Sequence, residues 1–250
     1  MEKGGGPLPH VTIDAGHREW APPDRPWVMR QTWQNLLFAH WRVAPEAIRD
    51  RVPSQLELDV FDGSAWVGVI PFRMTGIAPR DLPGVPGLSE TLEVNVRTYV
   101  RYGGRAGVYF FSLDAESLPV VLGARWFYHL PYYHAEMSMR ASEGERIEYK
   151  SRRRSGGAAL EIAYGPSSAT SLSELGTLEN WLTERYCLYT VASRGRVRTA
   201  NIHHARWPLQ AAWADIAVNT MAAPAGIELP REAPLLHYAH ELQVLVWWPS

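Results

Sequence analysis

Cysteine and lysine are both scarce in this 250-residue sequence. The one cysteine, Cys187, excludes an internal disulfide and any metal site built from several thiolates. Only Lys3 and Lys150 are lysines among 25 basic residues, so nearly every positive side chain is an arginine. Codon bias toward arginine accounts for such a ratio. Its chemical consequence is that almost no amine is available for covalent catalysis.

Long apolar runs and an excess of charge of one sign are also missing. No stretch approaches 18 uninterrupted apolar residues, so no transmembrane helix is expected, and residues 1–6 do not resemble a secretory signal. Twenty-five basic and 26 acidic residues give a net charge of -1, which argues against binding through phosphate neutralisation. We therefore expect a cytoplasmic protein with a small-molecule ligand and no nucleic-acid or membrane partner. Whether it forms a homo-oligomer stays open.

The common catalytic and cofactor motifs are absent too. The sequence has no G-x-S-x-G elbow, no Walker loop and no H-E-x-x-H pair. His203 and His204 are adjacent, so on a strand only one of them can point into a site. Cys187 lies in an apolar segment, where a buried, inert thiol is expected. We predict no metal and no cofactor.

What the sequence does contain is mostly strand. Residues 1–25 are rich in glycine and proline and are predicted to form a flexible arm, and residues 26–250 a single domain. Short helices are predicted near 45–51, 118–129 and 178–184, and loops over 77–87 and 222–234. Strands are predicted over 66–72, 92–101, 108–113, 160–164, 185–192 and 242–248, with a hairpin over 140–153. This pattern favours an α+β domain built on a mostly antiparallel, barrel-like sheet.

The strand that begins at Glu93 carries the most chemical information. Glu93, Asn95, Arg97, Tyr99 and Arg101 share one face, because strand side chains alternate. That face is either the solvent side of a half-buried strand or the polar lining of a barrel lumen. The sequence leaves both interpretations open.

A second polar segment follows His129. Pro131 restricts the backbone, and Tyr132, Tyr133 and His134 come directly after it. The segment is either aromatic packing at a turn or a set of hydrogen-bond donors around a carbonyl or carboxylate group. Both alternatives remain at this point.

Three consecutive arginines, Arg152–Arg154, lie near the end of the predicted hairpin. Such a run is able to clamp an anion. We interpret it as a solvated hairpin end, which is the usual setting of a charge run.

Several segments are similar to the YqjF-like family of bacterial proteins of unknown function. They are LFAHWRV (37–43), VIPFRM (69–74), EVNVRTYV (93–100), LPYYH (130–134), ERYCLY (184–189) and HHARWPLQ (203–210). That family more distantly resembles acetoacetate decarboxylase, whose opening helix and V-P-x-x-L-E motif are similar to residues 41–59. The resemblance implies an acetoacetate decarboxylase-like, mostly antiparallel closed β-barrel or cone, with a few short flanking helices and an internal pocket.

The resemblance breaks at the reactive amine. The decarboxylase forms a Schiff base through the first of two adjacent lysines, and those positions match Tyr132 and Tyr133 here. Tyrosine has no amine and cannot form an imine. The active-site arginine of that family falls near Gln34, and only its glutamate is matched, by Glu93. The resemblance therefore implies the pocket without the Schiff-base reaction.

Three hypotheses follow. The first is a lysine-independent enzyme, of lyase, isomerase or hydrolase type, that acts on a small oxo-acid or a related carbonyl compound. In it Glu93 is the general acid or base, and Tyr132 and Tyr133 orient or donate to an oxygen. The candidate substrate-binding residues are Arg97, His134, Gln34 and His40. The second is a barrel that binds a small ligand without catalysis, and the third an interaction protein that uses Trp247 and Trp248.

Overall fold

The protein is built mainly from β-strands, and its few helices are short. The computed structural model describes residues 14–84, 89–142, 145–192 and 195–250. The strands are β1 Met29–Val43, β2 Glu57–Leu58, β3 Ala65–Pro79, β4 Thr91–Tyr102, β5 Arg105–Ala115, β6 Tyr132–Ala141, β7 Ile147–Arg153, β8 Ala159–Pro166, β9 Ser171–Leu172, β10 Cys187–Val191, β11 Val197–His203, β12 Pro208–Asn219 and β13 Leu235–Val246. The helices are α1 Pro45–Arg49, α2 Leu118–Tyr128 and α3 Leu178–Thr183, and Ala223–Ala225 forms one 3-10 turn. This content agrees with the predicted α+β class.

The strands pair in the order β2-β4-β3-β1-β13-β11-β10-β5-β6-β7-β8-β12-β9, with further pairings β4–β5 and β12–β13. A chain of pairings thus leads from β4 through β3, β1, β13, β11, β10 and β5 back to β4. Within the described ranges the pairs are antiparallel except β5 with β6 and with β10. Parallel neighbours need a crossover connection, and α2 supplies the one between β5 and β6.

Strands β11 and β12 are missing from the prediction, and so is the long strand β1. Its apolar run from Leu36 has no alternation, because both faces there are buried. Asn35 has φ 53°, and the register with β3 shifts between Gln34 and Ala39. Such a bulge exchanges inward and outward positions along the strand, so a search for a period of two fails across it.

The three helices form where their start and stop signals predicted them. Pro45 is the first residue of α1, and Thr177 caps α3 by accepting a hydrogen bond from the amide of Asn180 at 3.4 Å. Helix α2 ends before His129, which has φ 53° and precedes Pro131 by two residues. In the described ranges no helix is long and apolar enough to cross a membrane.

The described part of the predicted arm packs on the domain. The Arg18 guanidinium lies 4.5 Å from the ring centroid of Tyr186 and donates a hydrogen bond to the Ile202 carbonyl at 3.2 Å. The Trp247 indole donates to the Arg25 carbonyl at 2.6 Å. Trp247 is therefore buried and does not form the exposed partner surface that was one hypothesis. Residues 1–13 of the arm lie outside the described ranges.

The arginine run corrects another prediction. Strand alternation turns Arg153 inward, whereas Arg152 and Arg154 are exposed. Arg153 makes a bidentate ion pair with Asp114, with Nη2 at 2.6 Å from Oδ1 and Nε at 3.0 Å from Oδ2, and both side chains are buried. The run is thus a solvated hairpin end at its outer residues only, and its central arginine is a buried cross-link between β5 and β7.

Candidate functional site

A cavity of about 430 Å³ lies inside the domain. Much of its wall is aliphatic and aromatic. The polar or titratable residues of the wall are Gln31, Glu93, Asn95, Arg97, Tyr128, Tyr132, Thr183, Arg185, Cys187 and His204. A mostly apolar pocket with a few convergent polar groups is the usual form of a small-molecule site.

Strand β4 supplies three of these polar groups from one face. Glu93, Asn95 and Arg97 are buried, with exposed fractions of 3%, 4% and 9%, and all three border the cavity. The strand pairs with β3 along one edge and with β5 along the other. The sequence left two interpretations of this face open. The burial of these three side chains favours the second, in which the face lines an interior space and is not a solvated surface.

Glu93 is held in place by two tyrosines. The Tyr132 hydroxyl donates a hydrogen bond to Glu93 Oε2 at 2.6 Å, and the Tyr149 hydroxyl donates to the Glu93 backbone carbonyl at 2.7 Å. Burial raises the pKa of Glu93 to about 7, against smaller lowering effects of the Tyr132 and Asn95 hydrogen bonds. Burial also raises the pKa of Tyr132 well above its ordinary value, so this hydroxyl keeps its proton. Glu93 can thus take or give a proton near neutral pH.

Arg97 brings a positive charge to the cavity without a carboxylate partner among the described residues. Its Nη2 makes only long hydrogen bonds, to the Tyr99 hydroxyl at 3.4 Å and to the Leu182 carbonyl at 3.5 Å. Its Nε is buried without a partner, and so is Asn95 Oδ1. A buried guanidinium is costly unless an anion or hydrogen bonds compensate it. The cavity is therefore suited to an anionic ligand group.

A second arginine of the wall, Arg185, was not among the candidates from the sequence. Its Nη1 pairs with Asp59 Oδ2 at 2.7 Å, its Nε donates to the Trp181 carbonyl at 2.6 Å, and its Nη2 is buried without a partner. Asp59 also binds Arg101 at 3.1 Å. The only sequence signal for this arginine was its place in segment 184–189, which is similar to the YqjF-like family. No charge pattern in the sequence indicates that positions 59 and 185 pair.

His204 contributes a neutral imidazole to the wall. Burial lowers its pKa to about 4, although the Ala205 and Arg185 carbonyls act in the opposite direction. As alternation predicts, His203 lies elsewhere, with Nδ1 3.3 Å from Arg18 Nη1. Across the described residues, no three histidine, cysteine, aspartate or glutamate side chains are grouped as metal ligands. Cys187 is buried, and burial raises its pKa, which makes its thiol a poor nucleophile.

The two neighbouring tyrosines separate. Tyr132 and Tyr133 are consecutive residues of β6, so their side chains point to opposite faces. Tyr132 reaches Glu93, whereas the ring of Tyr133 packs against the Arg153 guanidinium at 3.8 Å and lies outside the cavity wall. The prediction placed both tyrosines beside Glu93. In the structure Tyr132 contacts Glu93 and Tyr133 does not.

The other three candidates also lie outside the wall. Gln34 donates to Glu241 Oε2 at 2.7 Å near the surface. His40 is fully buried, with Nε2 2.6 Å from the Tyr99 hydroxyl, and burial lowers its pKa well below the ordinary value. His134 is half-buried on β6. The bulge at Asn35 turns Gln34 away from the cavity, whereas His40 and His134 share a strand face with the wall residues Phe38 and Tyr132 and lie beyond the wall.

Lys150, the lysine that falls within the described ranges, is also remote from the cavity. Lys150 lies on β7, is exposed, and pairs with Glu161 at 3.1 Å. Lys3 falls outside the described residues. None of the described wall residues offers an amine for an imine.

The raised pKa of Glu93 predicts a pH-dependent stability. Between pH 4.5 and 7 the folded chain holds a proton that the unfolded chain has released, so the stabilisation is complete below about pH 4.5 and is lost as the pH rises through about 7. At about 1.4 kcal/mol per pKa unit this amounts to about 3 kcal/mol. Urea unfolding of the wild type and Glu93→Gln from pH 4.5 to 8 measures it. We expect Glu93→Gln to gain that amount relative to the wild type, and parallel pH curves would contradict the assignment.

The fold is that of acetoacetate decarboxylase-like proteins. An acetoacetate decarboxylase from Legionella pneumophila superposes with a TM-score of 0.63 at 13% identity, over 97% of each chain. The enduracididine biosynthesis enzyme MppR, complexed with pyruvate, superposes with a TM-score of 0.62 at 12% identity, over 98% of this chain and 97% of its own. At such identities the similarity shows the fold alone.

The chain itself belongs to the DUF2071 family of uncharacterized conserved proteins, whose model matches residues 30–243. It is 49% identical over 226 residues to the uncharacterized protein YqjF of Bacillus subtilis (strain 168), covering 90% of this chain and 93% of that protein. Both parts of the resemblance drawn from the sequence are thereby confirmed, the close one to YqjF-like proteins and the distant one to the decarboxylase.

Proposed function

We propose that this protein is an enzyme that transfers protons on a 2-oxo acid or a related carbonyl compound, without a Schiff base. One observation carries the proposal: Glu93, with a pKa of about 7, and the Tyr132 hydroxyl meet at 2.6 Å in the wall of an interior cavity. A general acid–base catalyst works best when its pKa lies near the operating pH. The structural neighbours add support, since MppR is described as a biosynthesis enzyme and was solved with pyruvate.

We further infer that the sheet closes into a barrel around this cavity. The chain of pairings from β4 back to β4 supports closure. A closed sheet places alternate side chains of each strand inside, which accounts for three wall residues at a spacing of two on β4. The barrel keeps bulk water from Glu93 and so maintains its raised pKa.

The proposed chemistry starts with the substrate carboxylate at Arg97. The Glu93 carboxylate removes a proton from the carbon next to the carbonyl, and the C–H electron pair forms the enolate as the C=O π pair moves to oxygen. Arg97 and the unpartnered Nη2 of Arg185 stabilise this oxygen by charge. Glu93 then returns the proton. Isomerisation and dehydration of an oxo-acid both start with this enolisation.

Binding through Arg97 is the first test. Arg97→Met is expected to weaken the binding of 2-oxohexanoate by about ten- to a hundredfold, since hydrogen bonds to charged groups contribute about 1.5–3 kcal/mol. Isothermal titration calorimetry measures this difference. Arg73→Met on the neighbouring strand β3 is the matched control, because Arg73 is exposed, pairs with Glu90 and lies outside the wall. Equal affinities of the wild type and Arg97→Met would contradict the proposed carboxylate site.

Catalysis is tested separately from binding. The wild type in D₂O is expected to exchange the C3 hydrogens of the bound 2-oxo acid for deuterium, which proton NMR follows as loss of the C3 signal. Heat-denatured protein provides the background. Binding without exchange above that background would favour the alternative function, a barrel that binds a small ligand without catalysis. The apolar wall suits that function equally well.

A further inference from the structure

The cavity is larger and more apolar than a small oxo-acid requires. Its volume of about 430 Å³ holds on the order of ten waters at about 30 Å³ each, and an acid of three or four carbons replaces only a few. The apolar part of its wall includes Met29, Ile77, Val120, Ala124, Phe127 and Trp248. Empty apolar wall contributes nothing to binding, whereas an apolar ligand group that covers it does.

The acid-binding groups and two aromatic residues of the wall lie at different depths in the protein. Glu93 and Arg97 are almost completely buried. Phe127 and Trp248 also border the cavity, yet they are 53% and 46% exposed, and their ring centroids are 5.6 Å apart. The cavity therefore reaches the surface beside these two aromatic side chains, and its acid-binding groups lie in the interior.

From this division, and resting on the proposed function, we infer that the natural ligand is a 2-oxo acid with an apolar chain of four or more carbons beyond C3. The carboxylate lies at Arg97, the reacting carbon lies at Glu93, and the chain runs beneath α2 toward Phe127 and Trp248. The site thus selects its substrate by the length of the apolar part.

Gly123 of α2 marks the path of this chain. It borders the cavity, and a Cβ added to it would meet no atom within 4 Å. Helix α2 offers a neighbour on its outward side, Leu122, which is exposed and absent from the cavity wall. A larger side chain at position 123 therefore fills space that the ligand would use, and a change at position 122 does not.

A homologous series tests the inference. Dissociation constants of 2-oxobutanoate, 2-oxohexanoate, 2-oxooctanoate and 2-oxodecanoate are measured by calorimetry. We expect binding to tighten about fourfold per added methylene, until the chain reaches the opening. In Gly123→Leu the longer acids should lose this gain while 2-oxobutanoate binds as before, and Leu122→Ala should retain the wild-type profile. Ala124→Met provides a second filling variant if Gly123→Leu fails to fold.

The outcomes separate this inference from the proposal on which it rests. A flat series, with binding still dependent on Arg97, would overturn the chain-length inference and leave the proposed function standing. An unchanged profile in both filling variants would overturn the path beneath α2. The absence of binding by every acid would overturn the head-group site and the inference together.

Discussion

Replacing Glu93 with glutamine is expected to lower the rate of C3 hydrogen exchange by a factor of about 10² to 10⁴. Glutamine preserves the size of the side chain and a hydrogen bond with Tyr132, but it cannot accept the substrate proton. Binding of 2-oxohexanoate is expected to change only a few-fold, because the carboxylate is held by Arg97. Exchange followed by proton NMR in D₂O at saturating acid measures the effect.

The pH profile and a surface control make this result specific. Because the base form is the carboxylate, kcat/KM of the wild type should rise with pH through about 7, and Glu93→Gln should lack this rise. Glu90→Gln is the control: Glu90 is exposed and pairs with Arg73 at 2.7 Å. Full exchange activity in Glu93→Gln would exclude Glu93 as the base.

Replacing Arg153 with methionine is expected to lower the free energy of unfolding by about 3–5 kcal/mol. The change leaves the buried Asp114 carboxylate without its bidentate partner, and methionine also loses the contact with the Tyr133 ring. Burial already raises the pKa of Asp114 despite this pair. Denaturant unfolding at pH 7 measures the difference.

The neighbouring arginine provides the matched control. Arg154→Met removes an exposed pair with Glu136 at 3.2 Å, for which a change below about 1 kcal/mol is expected. Asp114→Asn combined with Arg153→Met should recover part of the lost stability, because it removes the uncompensated charge. A loss of similar size in Arg153→Met and Arg154→Met would show that burial of the ion pair is not the cause.

Local signals predicted the helices and about half of the strands, and β1, β11 and β12 are absent from the prediction, as are the short β2 and β9. Pro45 marks the start of α1 and Pro131 follows the end of α2, in the prediction and in the structure. Strand β1 was not predicted because Asn35 interrupts the alternation of its side chains. Two tyrosines that are distant in sequence hold Asn35 in place: its backbone oxygen accepts a hydrogen bond from Tyr164 at 2.7 Å, and its Oδ1 accepts one from Tyr238 at 2.6 Å. Those partners are more than a hundred residues away in sequence.

The candidate site shows the same division. Strand alternation was enough to place Glu93, Asn95 and Arg97 on one face, and the same rule applied to β6 would have separated Tyr132 from Tyr133. It does not tell which tyrosine faces Glu93, because the position of β6 relative to β4 is set by the pairing of both strands with β5. Arg185 is held in the cavity wall by its ion pair with Asp59, which lies 126 positions earlier in the sequence.

By itself, the sequence determined that almost no amine is available and which side chains of a strand share a face. The resemblance to the decarboxylase implies that Tyr132 and Tyr133 replace its two lysines, and strand alternation groups Glu93 with Arg97. Only the tertiary structure decided that the face lines a cavity, that Tyr132 is the partner of Glu93, and that Arg97 meets no described carboxylate. The reason is that backbone geometry sets the direction of each side chain locally, whereas its surroundings, and with them its pKa, depend on elements packed from distant parts of the chain.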